Sequence, residues 1–143
     1  MARQPGISTQ SPARCPGHIG GHIQIQRHAN DIDFQIESDF IGLTAPGMPQ
    51  ASNDIASRAG RVMNYGDGIY GGMFVGCMYS AAFFEKAIRR VVESGLAFIP
   101  DNSPWALLIS DVLAWSRRHS DDWKVVWQLI KDKWDRRDPW MQN

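Results

Sequence analysis

A chain of 143 residues with 43% apolar side chains has the size of one domain and enough apolar material for a packed core. Its fifteen basic and fifteen acidic residues cancel, which removes the electrostatic footprint expected of a nucleic-acid binder or of a protein held on an anionic membrane. Two cysteines are too few for a disulfide scaffold, no stretch approaches the roughly 20 apolar residues of a membrane span, and residues 1–14 lack the apolar centre of a secretory signal. A cytoplasmic protein without a membrane partner is the expectation.

Residues 1–27 are polar and broken by Pro5, Gly6, Pro12, Pro16, Gly17, Gly20 and Gly21, so they read as a flexible or unrelated lead-in, with one short strand at 23–25. The domain proper is expected over 28–143. Phe34, Ile36, Phe40, Ile41 and Leu43 predict one short buried helix, ended by the turn TAPGMP at 44–49. Ser52 or Asn53 is the expected cap of a second helix, with Ile55, Ala56, Ala59, Val62 and Met63 on its inner face. Residues 64–68 (NYGDG) form a loop on composition. Residues 71–84 (GGMFVGCMYSAAFF) are apolar nearly all round, which predicts a helix needing partners on every side, with Cys77 as a small core residue. Any side left bare should make the chain prone to associate.

From Glu85 an amphipathic helix is expected, with Ala87, Ile88, Val91 and Val92 inward, weakened at Gly95 and stopped by Pro100. Ser103-Pro104 starts the next helix, because proline at the first helical position gives up no needed hydrogen bond. Trp105, Leu108, Ile109, Val112 and Trp115 are its apolar stripe. Ser120 is the expected cap of the last helix, followed by Asp121 and Asp122 in its first turn and by Trp123, Val126, Trp127, Ile130 and Trp134 at helical spacing. That helix ends at Arg136 and Arg137 before Pro139. Trp105, Trp123 and Trp127 read as core and Trp140 as exposed. No paired alternating strands are present, so the fold class is all-α, an orthogonal helical bundle.

Few residues speak of chemistry directly. His18 and His22 have a helical ligand spacing, but Gly20 and Gly21 lie between them and a chance pair is the reading taken. His28 and His119 are isolated and read as surface residues. Asp33 and Glu37 are four apart, so their carboxylates share a face with Asp31 and Asp39 nearby. Such a set binds a hard cation, does acid–base work, or is merely a solvated stripe. The 64–68 loop offers an amide, a phenol, a carboxylate and two glycines ahead of a helix, which suits either a phosphate or a plain tight turn.

The stretches 28–49 (HANDIDFQIESDFIGLTAPGMP) and 63–72 (MNYGDGIYGG) resemble the ADP-ribosylglycohydrolase superfamily. The likeness continues through MFVGCMYSAAFFE and more weakly through DDWKVVWQLIKDKW, covering about residues 28–138. It implies part of a larger all-α domain with a cleft holding two magnesium ions. Such proteins hydrolyse the glycosidic bond of ADP-ribose conjugates. It also implies pocket positions at Asn64, Tyr65, Gly66, Asp67, Gly68 and Tyr70, with Asp33, Gln35 and Asp39 on the same cleft. Asn64 stands where many relatives carry histidine. The family's metal ligands come from an early Asp-rich motif and a late Asp-x-Asp motif, and this sequence matches only the middle. The chain is therefore expected to take an ADP-ribose-type ligand as an internal fragment, while neither holding magnesium tightly nor turning substrate over. The alternative is a non-catalytic helical interaction or structural remnant.

Overall fold

The structure is a computed structural model that describes residues 29–135. The expectations for the 23–25 strand, Cys15, His18, His22, His28, Arg136, Arg137 and Trp140 lie outside those residues. Within them the chain is all-α, with no strand. Its helices are α1 (Asp33–Glu37), α2 (Asp39–Thr44), α3 (Pro49–Ala59), α4 (Asp67–Ala82), α5 (Ile88–Leu96), α6 (Pro104–Arg118) and α7 (Trp123–Trp134), with one 3-10 turn at Gly60–Val62.

The all-apolar segment is the axis of the fold. Helix α4 touches α1, α2, α3, α5 and α6, so most of its surface finds a neighbour, as a helix without a polar face requires, while Tyr79 near its end stays 42% exposed. Ile69, Met73, Phe74 and Cys77 of α4 are buried with Phe34, Ile41, Ala56, Ile99 and Ala106 from around it. The Cys77 thiol, pushed up to about 12 by burial, donates weakly to the Pro49 carbonyl. It is an inert core group.

Small residues set the spacing. A Cβ on Gly42 would fall inside the van der Waals radii of the Gly76 carbonyl oxygen and the Tyr79 Cβ, so α2 and α4 meet backbone to backbone. The turn after α2 is then tied down: Gly47 N–H donates to the Ser80 carbonyl at 2.8 Å, and the Ser80 hydroxyl donates to the Ala45 carbonyl.

Several starts and faces differ from the sequence expectation. The single helix over 34–43 is two, because Ser38 is fully buried and turns its hydroxyl back to the Gln35 carbonyl, ending α1 early. Helix α3 starts at Pro49, with Met48 as its N-cap residue and no side-chain cap. Ser52 lies within the helix, buried where α3 meets Gly76. On α3, Ala56 faces the core while Ile55 is exposed, as is Val62 in the 3-10 turn that follows. Ile88 is 82% exposed, since α5 starts only there and its core contacts come from Val92 and Leu96.

Ser103 accepts the Ala106 N–H at 3.1 Å with Pro104 at the first position of α6, as read from sequence. Asp122, and not Ser120, caps α7 by accepting the Lys124 N–H, while Ser120 bonds Asp121. Trp105 packs edge-on to Phe74 with ring centres 6.1 Å apart. Trp123 and Trp127 are 70% and 50% exposed, contrary to expectation, because α7 leans mainly on α6 and buries one narrow stripe around Val126.

The α6–α7 contact is held by Asp111, which accepts from Lys133 Nζ at 2.6 Å and Trp134 Nε1 at 2.9 Å. Removing that acceptor in Asp111→Ala should cost roughly 1–2 kcal/mol and act locally. Hydrogen exchange should speed up in α7 while α4 stays protected; equal acceleration in both helices would contradict this.

Candidate functional site

Two distant stretches meet at the start of α4. The Asn64 carboxamide is 1% exposed and sits between them. Its Oδ1 accepts the Phe34 N–H at 3.0 Å, and its Nδ2 donates to the carbonyls of Asp31 at 2.9 Å and Ala29 at 3.2 Å. Tyr65 N–H donates to the same Ala29 carbonyl at 2.7 Å. Helix α1 has no side-chain cap of its own, so Asn64 caps it from thirty residues away. One amide thus meets two carbonyls and one N–H. A neutral imidazole, with one donor and one acceptor, cannot make all three bonds.

Gly66 turns the chain into α4 at φ 55° and ψ −127°, a backbone conformation that glycine adopts without strain. The N–H groups of Gly68, Ile69 and Tyr70 donate to the Tyr65 and Gly66 carbonyls. These first-turn donors are therefore engaged and do not form an open anion cradle.

The polar atoms left over are mainly acceptors. Asn30 Oδ1 lies beside Gly66. It and Asp67 Oδ1 are buried and have no hydrogen-bond partner, as is the indole Nε1 of Trp105. Burial raises the Asp67 carboxyl above its ordinary value of 3.8, opposed by the Trp105 backbone N–H at the start of α6. Both unpaired oxygens are enclosed by protein atoms, so a ligand's donor, such as a hydroxyl or amino group, reaches them only if the surrounding packing opens.

The other sequence candidates lie close by in varying degree. Gln35 is half-buried and packs over Gly71, with Oε1 3.0 Å from where a Cβ on that glycine would stand. Gly68 is buried against Ala29 and Asn64. Tyr70 packs on the core cluster, Tyr65 is 47% exposed, and Asp33 points to solvent. Asp39, in the first turn of α2, accepts the N–H of its neighbour Phe40 at 2.7 Å, and α2 has no side-chain cap. Asn30 was not singled out from sequence: an asparagine in HAND carries no local signal, and its unpaired oxygen is a property of the packed chain.

Among the described residues no three His, Cys, Asp or Glu side chains converge on a point that could hold a metal ion. A hard dication needs about six oxygens, several of them charged, so the described donors do not fit the two-ion centre that the sequence resemblance implies. Comparison with known proteins adds no relative: no family model, no curated protein and no solved structure matches the chain.

The Asp67 shift has a consequence for stability. A carboxyl whose folded pKa is raised stabilises the fold below its unfolded value, and that contribution is lost as pH rises through the folded pKa. Wild type should therefore lose stability relative to Asp67→Asn as pH rises from about 4. Thermal melts of both proteins across pH 3–7 read this directly. A wild type that instead gains on the variant would mean that the Trp105 N–H outweighs burial.

Proposed function

We propose that the chain carries the pocket-shaping part of an ADP-ribosylglycohydrolase-type hydrolase, a class that cleaves the glycosidic bond of ADP-ribose conjugates. The observation that supports it is the corner around Gly66, where Asn30 Oδ1 is buried and unpaired, with a second unpaired buried oxygen, Asp67 Oδ1, on the next residue. It is formed by the same two stretches, 28–49 and 63–72, that carry the sequence resemblance. Ribose hydroxyls and the adenine amino group are donors of the kind these oxygens lack. The role given to this chain is binding and orientation of the nucleotide sugar. No hydrolytic step is assigned to it, since the described residues do not supply the donor set for the metal ions.

Calorimetry and NMR titration with ADP-ribose test this reading. Weak, saturable binding is expected, with a Kd on the order of 1 mM or about 4 kcal/mol. Shifts should be confined to residues 29–35 and 64–71, and binding should be reduced in Asn30→Ala. No saturable response from the folded chain would favour the non-catalytic helical alternative. Micromolar magnesium binding, or turnover abolished by Asp67→Ala, would mean a catalytic centre more complete than these residues supply.

A further inference from the structure

Helix α7 packs mainly on α6. Helix α6 in turn gives the core only its first turns, with Ala106 buried and Trp105 and Ile109 packed against the core cluster. Farther along, α6 is tied to α5 by the Arg89 guanidinium, which donates to the Leu113 carbonyl at 3.3 and 3.4 Å and to the Ser116 hydroxyl at 3.3 Å. An Arg117–Glu93 ion pair at 3.9 Å joins the same two helices at the surface. Contacts of that length between solvated groups hold weakly. The segment leading into α6 runs exposed through Pro100, Asp101 and Asn102, between the buried Ile99 and Ser103. Two helices with few buried side chains and one exposed connection form a unit that opens before the rest of the fold.

The closed position also leaves polar atoms without partners. Trp105 Nε1 and Asp67 Oδ1 are both buried and unpaired, and the Asp67 carboxyl faces the backbone N–H of Trp105. Both atoms regain water when the start of α6 lifts off α4, so opening recovers hydrogen bonds that closure gives up. Against this stand the contact of the Trp105 ring with Phe74 and the packing of Ala106 and Ile109 on the core. Opposed contributions of this kind leave an open minor state populated. We infer that α6 and α7 form a hinged lid, which swings about residues 100–102 and uncovers the Asp67 carboxyl. Where the nucleotide reading holds, on which this step rests, the lid is the packing that must open before a ligand's donor reaches Asp67 Oδ1.

Hydrogen exchange on the full chain, read group by group by NMR, tests the lid first. The amides of α6 and α7 and the Trp105 indole N–H are expected to share one opening, roughly tenfold or more easier than that of the central α4 amides. The indole is informative because it has no acceptor, so burial alone protects it. Arg89→Ala removes the tie to Leu113 and Ser116 and should speed exchange in α6, α7 and the indole together by roughly tenfold, with α4 unchanged. Calorimetry with ADP-ribose on the same variant reads the coupling. The Kd should fall by the factor by which opening rises, because apparent affinity scales with the fraction of the chain that is open. An α4 accelerated as much as α6, or an indole that exchanges apart from the α6 and α7 amides, would overturn the lid. So would an unchanged Kd in a variant whose exchange has risen. A folded chain with no response to ADP-ribose sinks the nucleotide reading instead, and the exchange rates still decide the lid.

Discussion

Replacing Gly42 by alanine should be among the most damaging single changes in this chain, although helix propensity argues the other way. In an exposed helix the substitution gains about 1 kcal/mol. Here the new methyl group would overlap the Gly76 carbonyl oxygen and the Tyr79 Cβ and lie 2.8 Å from the Ser80 nitrogen. All three belong to the α4 backbone or are fixed to it, so no side-chain rotation relieves the clash. The two helices must separate, which also stretches the Gly47–Ser80 and Ser80–Ala45 hydrogen bonds. Overpacking of this kind costs about 3 kcal/mol at the upper end of the usual range, so the clash outweighs the propensity gain. For a domain of this size the net loss corresponds to a melting temperature lower by roughly 10 °C. Leu43→Ala, one residue on and half exposed, should change the melt far less. If the two variants melt alike, α2 and α4 are not in backbone contact.

That case also shows what is legible in the sequence. The pattern GGMFVGCMYSAAFF announces a central helix because an all-apolar surface can only be stable inside, and α4 is that helix over 71–82, while Phe83 and Phe84 lie past its end and are exposed. Ser103-Pro104 announces a helix start because capping is chemistry between near neighbours, and α6 starts there. What cannot be read is which partner covers which stripe. Trp123 and Trp127 fall on an apolar spacing, but their burial depends on a second helix lying over α7, and the described chain puts α6 along one side of it. The same limit applies at the candidate site. Residues 64–68 read as a loop with useful groups, yet nothing local reveals that the Asn64 amide is consumed by carbonyls more than thirty positions away. Nor does it reveal that Asn30 is left with an unpaired oxygen. Hydrogen bonds of that separation are set by the packing of α1 against α4, which the glycines of GIYGG permit but do not specify.

The Asn64 bonds carry the second large expected effect, and its sign depends on pH. Asn64→Asp keeps size and shape, and one carboxylate oxygen can still accept from Phe34. The other then faces the carbonyl oxygens of Ala29 and Asp31 at about the distances where Nδ2 now donates, 3.2 and 2.9 Å. Two hydrogen bonds become two repulsions inside a buried site, and an ionised group is left without a donor on that side. A cost of about 3–5 kcal/mol is expected at neutral pH, the range for breaking a buried charged pairing. Protonation lets the introduced carboxyl donate once, to one of the two carbonyls. Its folded pKa is therefore raised above the ordinary aspartate value of about 3.9. Stability is recovered below that value and lost as pH rises through the folded pKa. Asn64→Ala makes the control: it removes the acceptor of the Phe34 N–H and one donor from each of the Asp31 and Ala29 carbonyls, the latter keeping the Tyr65 N–H, at a cost of roughly 2 kcal/mol, with no titrating group added. Denaturant melts from pH 4 to pH 7 should therefore show Asn64→Asp approaching or passing Asn64→Ala at the acid end and falling well below it at neutral pH. Parallel curves for the two variants would mean that Asn64 does not cap α1 through its amide.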